Sequence, residues 1–230
     1  MKFTVEKKEI SEALSLVASV AEKRQSIPVL SNILLKAENK GLTLIATDLE
    51  IELTFKIPKI ELDSEGETTV SARKLADLVR SVPEDTVLTF ELLESQLEIS
   101  ALKFQADFST LPVGDFPVTE ISEFEREVAL PGKELADLIE KTSFAMASQD
   151  VRYYLNGILL EVSPAQINVV ATDGHRLAWA SCKIKTDFID EKIIIPRKSA
   201  IELQKLLNLY PDNVNISFNS NQLRVFSDEF

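Results

Sequence analysis

The 230-residue sequence contains one histidine, one cysteine and one tryptophan, with only 6 glycines and 9 prolines. A single cysteine cannot form an internal disulfide, so we expect a reducing compartment. One histidine and one cysteine also fall short of the roughly four Cys or His ligands that a structural zinc ion needs. Few glycines and prolines, beside 45% hydrophobic residues, exclude a fibrous or disordered chain. The sequence therefore predicts an ordinary globular core.

Long apolar runs are missing as well. No stretch approaches the roughly 18 continuous apolar residues of a membrane span. The amino-terminal sequence MKFTVEKKEISEAL is charged and has no apolar segment of signal-peptide length. These absences predict a cytoplasmic protein without a membrane partner.

Positive charge is in deficit, since 25 lysines and arginines stand against 37 aspartates and glutamates, for a net charge of −12. Nucleic-acid phosphates need cationic partners, so the overall charge argues at first against a nucleic-acid ligand. Residues 72–82 and 196–209, however, each carry three basic residues against one acidic residue. These segments are either solvated helix faces or basic helices that face one polyanion while the acidic remainder faces outwards.

The chain also repeats itself. IATD, which ends at Asp48, recurs as VATD, which ends at Asp173, 125 residues later. LSNILLK recurs as LNGILLE at the same offset, and ARKLADL is followed by PRKSAIEL at an offset of 124. Ordered matches at nearly one spacing indicate a duplicated unit. The sequence predicts two copies of one domain, 1–125 and 126–230.

Hydrophobic periodicity predicts the elements of each copy. In the first copy, KFTVE reads as a strand, and residues 7–22 and 72–82 have the apolar spacing of helices. Between the helices, NILLKAE, GLTLIATD and EIELTFKIP read as strands, and TVLTFEL, QLEISAL and KFQADFST follow as further strands. The order predicts an α+β fold in which two helices pack on antiparallel β-sheet.

The repeat predicts that the second copy lacks its last strand. After QLEIS the first copy continues through ALKFQADFSTLPVGDFP, whereas the second copy reads QLRVFSDEF and stops at Phe230. We therefore expect the chain to be a piece of a longer protein.

Two stretches carry the candidate functional residues. ATDGHRLAWA (171–180) holds the only histidine two residues after Asp173. Spacing leaves a Ser–His–Asp triad open, because triads assemble in space, but no nucleophile-elbow sequence accompanies it. The alternative is a strand and turn, in which Thr172 and Asp173 merely shape the turn as TD does in the first copy.

ASQDVRYYLNG (147–157) places two adjacent tyrosines beside Arg152, between a helix and a strand. Neighbouring side chains on an extended segment point to opposite sides, so at least one tyrosine ring should be exposed. Such a ring either packs on its own domain or stacks on a nucleic-acid strand.

FTVEK, ATDLE, TLPVGDFP, QDVRYYLNGILLE, ATDGHRLA and IPRK occur in this order over essentially all of the chain. Together they resemble the bacterial DNA polymerase III beta subunit family, the replicative sliding clamps. The resemblance implies a DNA-clamp fold: a homodimeric ring of six similar domains, three from each subunit. This chain would supply the first domain and most of the second, and the third clamp domain is absent from it. The resemblance implies no catalytic residue, metal or cofactor.

The resemblance also accounts for the acidic charge. A clamp encircles double-stranded DNA, so a modestly basic channel suffices and tight phosphate contacts would hinder sliding. No reading of base sequence is expected. The DNA-facing residues that the resemblance implies are Arg24, Arg73, Gln149, Tyr153, Tyr154, Arg197 and Lys198.

A second implied site is a pocket for short linear motifs of the polymerase catalytic subunit, the clamp loader and other clamp-motif proteins. Leu155 and Leu177 would form its apolar floor, and Arg152, Thr172 and Arg176 would donate hydrogen bonds to a peptide. The full set that the resemblance implies is Arg152, Leu155, Thr172, Gly174, His175, Arg176 and Leu177.

The resemblance further implies a subunit interface at the late strands of the first domain, with contacts from Lys74, Leu78, Lys103, Ala106 and Phe108. Without a third domain, this surface has no partner for ring closure, and the peptide pocket lacks one wall. A competing hypothesis is therefore a standalone acidic interaction module that binds clamp partners without encircling DNA. An enzyme is the third and weakest hypothesis.

Overall fold

A computed structural model describes residues 1–21, 27–102, 104–119, 124, 126–185, 191–219 and 222–230. The chain divides into two compact units: unit 1 comprises residues 1–120 with 228–230, and unit 2 comprises residues 121–227. Among the described residues, no helix is both long and apolar enough to cross a membrane.

Unit 1 has two helices and two antiparallel sheets within its described part. One sheet has the strand order β5-β1-β7-β8-β9 and the other β4-β3-β2-β6. The elements are β1 (Lys2–Glu6), α1 (Lys7–Val20), β2 (Asn32–Glu38), β3 (Gly41–Thr47), β4 (Glu52–Ile57), β5 (Glu61–Ser64), β6 (Gly66–Ser71), α2 (Ala72–Ser81), β7 (Val87–Leu93), β8 (Gln96–Ala101) and β9 (Phe104–Ser109).

Both helices of unit 1 pack on one face of the sheet β4-β3-β2-β6, α1 against β3 and β4 and α2 against β2 and β6. Ile10, Leu14 and Val17 recur at helical spacing and are fully buried, so the apolar stripe of α1 forms the core. The predicted α+β fold is confirmed. The prediction of three strands between the helices was wrong, because β5 and β6 are also present. Their sequence, ELDSEGETTVS, is mostly polar and lacks the alternation of apolar residues that predicts a strand.

Unit 2 repeats this arrangement. Its helices α3 and α4 pack on the sheet β13-β12-β11-β14, and its second sheet has the order β10-β15-β16. The elements are β10 (Arg126–Pro131), α3 (Gly132–Ser143), β11 (Gly157–Val162), β12 (Gln166–Thr172), β13 (Leu177–Lys183), β14 (Glu191–Pro196), α4 (Arg197–Leu209), β15 (Asn213–Phe218) and β16 (Leu223–Phe226).

The structural repeat follows the sequence repeat closely. Strands β2, β3, β4 and β6 begin 125 residues before β11, β12, β13 and β14, respectively. The short 3-10 turns Pro28–Ser31 and Tyr153–Leu155 also begin 125 residues apart. Equivalent residues of the two helix-covered sheets can therefore be paired one by one. The expectations of a missing strand in the second domain and of the boundary at residue 125 stay predictions.

Candidate functional site

The first part of the site is the loop between α3 and β11, which hydrogen bonds hold in one conformation. The Ala147 amide donates to the Leu155 carbonyl at 3.0 Å. The side chain of Asn156 bridges the loop: its Oδ1 accepts from the Asp150 amide at 2.9 Å and its Nδ2 donates to the Asp150 carbonyl at 2.8 Å. Residues between these bonds therefore sit on a fixed frame.

Arg152 is the charged residue of this loop, and Asp150 orients it. The Arg152 Nε and Nη2 atoms donate to the Asp150 carboxylate at 3.0 and 2.9 Å, and the Arg152 amide adds a third bond at 2.8 Å. These bonds, led by those from the guanidinium, lower the pKa of Asp150 to about 2. A guanidinium has five N–H donors, so an exposed Arg152 held by two of them keeps others for a ligand.

The second part of the site is the turn between β12 and β13. The Thr172 hydroxyl donates to the Arg176 carbonyl at 2.7 Å and accepts from the Gly174 amide at 3.1 Å. The Asp173 Oδ1 atom accepts from the amides of His175 and Arg176, both at 3.0 Å. These two amide bonds are the main reason that the pKa of Asp173 is lowered to about 2. Both polar side chains are thus engaged in shaping the turn.

Unit 1 builds the same turn at the equivalent place. Thr47 Oγ1 accepts from the Leu49 amide at 3.0 Å, and Asp48 Oδ1 accepts from the next two amides at 3.0 and 2.8 Å. Leu49 has φ of 77° and its counterpart Gly174 has φ of 86°. The Thr–Asp pair therefore has a structural role in both units. Within this turn the two units differ at residues 174–177, and the Thr172 hydroxyl, expected to donate to a peptide, donates to the Arg176 carbonyl instead.

The structure brings these two loops together in unit 2. A Cβ atom added to Gly174 would lie 3.3 Å from Arg152 Nη2, so the guanidinium rests against the glycine. His175 and Leu177 are exposed beside them, with Leu177 at 65% of its full accessible surface. Leu155, the other expected apolar contact, is buried under the loop. Leu177 therefore offers apolar surface at this site, whereas Leu155 is buried and does not.

Phe144 joins this site, although no pattern in the sequence predicted it. The Arg176 guanidinium lies 5.6 Å from the centroid of the Phe144 ring, while its Nε atom donates to Asp173 Oδ2 at 2.9 Å. Phe144 follows the last residue of α3 and is exposed, outside the buried stripe of that helix.

The tyrosine pair differs from its prediction in one respect. Tyr153 and Tyr154 lie in a 3-10 turn rather than on an extended segment, and both are exposed. Their ring centroids are 5.9 Å apart with planes at 77°, an edge-to-face pair. The turn exposes both aromatic rings to solvent, whereas an extended segment would require only one of them to be exposed.

The expected DNA-facing cations have unequal surroundings. The Arg73 side chain is 86% exposed on α2, and its Nε atom lies 3.7 Å from Asp77. Arg197 is half-buried and donates from Nη1 to the Met146 carbonyl at 3.1 Å, so it also fastens α4 to the loop after α3. Lys198 is half-buried at the start of α4, and Gln149 is exposed with φ of 58°. Arg24 lies outside the described residues.

The expected subunit-contact residues also differ in exposure. Lys74 is exposed and Ala106 is half-buried, whereas Leu78 and Phe108 are buried within unit 1. The exposed apolar side chains near the edge strand β9 are instead Leu102 and Phe104. Lys103 lies outside the described residues. In the part of the chain that the structure describes, no cluster of His, Cys, Asp and Glu could hold a metal ion.

Family comparisons agree with both units. The N-terminal domain of the DNA polymerase III beta subunit matches residues 1–120, and the central domain of the same subunit matches residues 129–230. Beta sliding clamps from Pseudomonas aeruginosa and Escherichia coli are 42% and 37% identical to the chain over its whole length. The chain spans 63% of the length of each.

Solved structures give the same result. A crystal structure of the DNA polymerase III subunit beta from Pseudomonas aeruginosa superimposes with a TM-score of 0.95 at 40% identity, covering 100% of this chain and 63% of that one. A sliding clamp from Caulobacter crescentus has a TM-score of 0.91 at 34% identity, covering 98% of this chain and 62% of that one. With both of its units matched in order, the chain belongs to the DNA polymerase III beta subunit family.

Proposed function

We propose that this chain forms two domains of a sliding clamp, a ring that encircles duplex DNA and tethers the replicative polymerase, the clamp loader and repair proteins. One observation carries the proposal: two repeated units match, in order, the N-terminal and central domains of the beta subunit. Because the chain spans 63% of its relatives' length, ring formation belongs to a longer protein of the relatives' size. The protein acts as a non-catalytic subunit in the cytoplasm and needs no cofactor.

Exposed cations on α2 support contact with the DNA backbone. Arg73 and Arg80 lie on one exposed face of the helix, two turns apart, and Lys74 is exposed next to Arg73. Asp77 sits between Arg73 and Arg80 and pairs with both, at 3.7 and 3.2 Å. Such partly neutralised cations attract phosphates without binding them tightly, which suits a protein that moves along DNA. Tyr153, beside the site in unit 2, adds an aromatic surface.

The site in unit 2 supports binding of an extended peptide. The exposed Leu177 offers an apolar contact, the Arg152 guanidinium offers aligned donors, and both lie on loops held by internal hydrogen bonds. A fixed frame lowers the entropy that these loops must lose when a peptide binds. Unit 1 has Glu50 and Glu52 where unit 2 has His175 and Leu177, so this proposed activity resides in unit 2 alone.

Topology provides the first test of the clamp. The protein, extended to the length of its relatives, is loaded on nicked circular DNA by a clamp loader and isolated by gel filtration. A ring stays with the circle and is lost when one restriction cut opens it, since it slides off the ends. Retention that is equal on circular and linear DNA would reject encirclement. Light scattering on the same protein should give the mass of a dimer.

Two charge substitutions on α2 test the DNA contact, and they are expected to change the DNA affinity in opposite directions. Arg73→Ala should weaken DNA binding and lower the salt dependence of log K by about one unit, because one phosphate contact is lost. Asp77→Asn frees two arginines and should strengthen binding. Unchanged affinity in both variants would remove α2 from the DNA surface.

The peptide site is tested by His175→Ala combined with Leu177→Ala. Both side chains are exposed, so the variant should fold normally while binding a clamp-motif peptide at least about tenfold more weakly. Glu50→Ala, at the equivalent of His175 in unit 1, is the matched control and should bind as the original protein does. Equal affinity in the double variant would refute the site.

The second candidate is an acidic interaction module that binds clamp partners without encircling DNA. The net charge of −12 favours it, because such a surface repels phosphates. Peptide binding that survives in a monomer with no retention on circular DNA would support this function over the clamp.

A further inference from the structure

Arg176 has an exposed side chain that is nevertheless held from two sides. The side chain keeps 58% of its accessible surface. Its Nε atom donates to Asp173 Oδ2 at 2.9 Å, and its guanidinium carbon lies 5.6 Å from the centroid of the Phe144 ring. A guanidinium within about 6 Å of an aromatic centroid is attracted by the electrons of the ring. Among the described residues only the Nε–H group of this guanidinium is bonded, so the Nη1 and Nη2 donors remain for a ligand.

Phe144 lies on a main chain that hydrogen bonds fix on both sides of it. The Ala145 amide donates to the Thr142 carbonyl at 3.0 Å, which closes the turn at the end of α3. Two residues after Phe144, the Met146 carbonyl accepts from Arg197 Nη1 of α4 at 3.1 Å. The ring itself is 59% exposed, so it contributes little to the core of unit 2. The fold therefore holds an exposed aromatic ring at a fixed place beside the site.

Unit 1 has the same turn but not the pair of ring and guanidinium. Ser19 stands 125 residues before Phe144, and its hydroxyl donates to the Leu16 carbonyl of its own helix at 2.7 Å. Ile51 stands 125 residues before Arg176, and its amide donates to the aspartate of the turn at 2.8 Å, as the Arg176 amide does in unit 2. The turn therefore forms without the pair, and the pair occurs in the unit that carries the proposed peptide site.

We propose that Phe144 is a positioning residue of the peptide site, which holds the Arg176 guanidinium in one orientation for hydrogen bonding to the bound peptide. The inference rests on the proposed function of that site. Arg176 directly precedes the exposed apolar contact, Leu177, and the Arg152 guanidinium rests against Gly174 in the same site. In this role Phe144 acts through Arg176 and needs no contact of its own with the peptide.

Positioning of Arg176 affects affinity through conformational entropy. A long arginine side chain that is free in solution loses rotamer freedom when it bonds to a ligand. A guanidinium that is already held in place loses less, so the same hydrogen bonds give a tighter complex. Leucine at position 144 would keep an apolar side chain but remove the ring electrons that attract the guanidinium. Tyrosine would keep the ring, and its hydroxyl can point to solvent because the ring is largely exposed.

Binding of a labelled clamp-motif peptide to the full chain, followed by fluorescence anisotropy, is the first measurement. Phe144→Leu should weaken binding about threefold, as expected for the loss of one exposed cation–π contact, whereas Phe144→Tyr should bind as the original chain does. In a chain that already carries Arg176→Ala, Phe144→Leu should cause no further loss. Ser19→Ala, at the equivalent place in unit 1, is the matched control and should leave the affinity unchanged. An undiminished threefold loss in the Arg176→Ala chain would show that Phe144 contacts the peptide directly, and would overturn the positioning role.

Nuclear magnetic relaxation of the Arg176 Nε–H group, measured without peptide, is the second measurement. The group should be ordered in the original chain and in Phe144→Tyr, and clearly less ordered in Phe144→Leu. Equal order in Phe144→Leu would show that the bond to Asp173 suffices to hold the guanidinium, and would overturn the proposal whatever the peptide affinities are. An original chain that binds no peptide although its Arg176 is ordered would instead overturn the proposed function of the site, so the two failures are distinguishable.

Discussion

Replacing Phe116 with alanine tests how firmly the segment of residues 111–119 is anchored in unit 1, where the Leu111 carbonyl accepts from Thr69 and the Thr119 amide donates to Glu52. The side chain is 5% exposed and packs with Val29, Leu34 and Ile45. Truncation of a buried phenylalanine removes its transfer free energy and leaves a cavity, together about 3–5 kcal/mol. Because the segment is at the surface and can partly collapse, we expect the lower end, about 3 kcal/mol.

Urea unfolding followed by far-ultraviolet circular dichroism measures this loss. With a slope of about 2 kcal/mol per molar urea, the unit 1 midpoint should fall by roughly 1.5 M. Val118→Ala is the matched control, since Val118 lies in the same segment and is half exposed. Its effect should stay within about 0.5 kcal/mol.

A double-mutant cycle decides whether the contact itself is responsible. If Phe116 stabilises unit 1 by packing on Leu34, Phe116→Ala and Leu34→Ala should couple by about 1 kcal/mol or more. Additive effects, or a loss below about 1 kcal/mol for Phe116→Ala alone, would refute the anchoring role.

Two further predictions concern the shared turn. Gly174→Ala should lower the free energy of unfolding by about 1 kcal/mol in thermal denaturation, because a Cβ at φ of 86° is strained and meets Arg152. Leu49→Gly, the control, should change it by under about 0.5 kcal/mol. Equal effects of the two substitutions would contradict this explanation. The carboxyl resonances of Asp173 and Asp150 should titrate in nuclear magnetic resonance with pKa values of about 2. Lowered folded-state pKa values stabilise the protein above pH about 4, and this stabilisation is lost as pH falls towards 2; ordinary pKa values near 4 would show that the hydrogen bonds do not form.

Much of the fold could be predicted from the sequence because the two repeated halves of the chain can be compared with each other. Repeats at one offset indicate which segments are equivalent, and apolar spacing within them then predicts both helices. β6 escaped prediction because its residues are mostly polar and only Val70 is a large apolar residue. Its strand character comes from pairing with β2, a long-range contact that local periodicity does not report.

The sequence names candidate site residues, but it does not determine what each side chain does in the fold. Thr172 and Arg152 are both polar and both near the site, yet the Thr172 hydroxyl serves the turn while Arg152 keeps donors for a ligand. Burial similarly separates Leu155 from Leu177. Such assignments depend on which atoms meet in three dimensions, so residue type and spacing do not determine them. Phe144 was missed because only the fold brings the end of α3 beside Arg176.

The Thr–Asp turn also bears on how a duplicated gene acquires a new activity. In both units the hydrogen bonds that hold the turn come from its first two side chains and from main-chain amides. The side chains of His175 and Glu50 contribute none of these bonds, so a substitution at this position leaves them intact. Substitutions at this one position therefore cost little stability in either unit. His175 and Glu50 stand at the same place on one inherited frame.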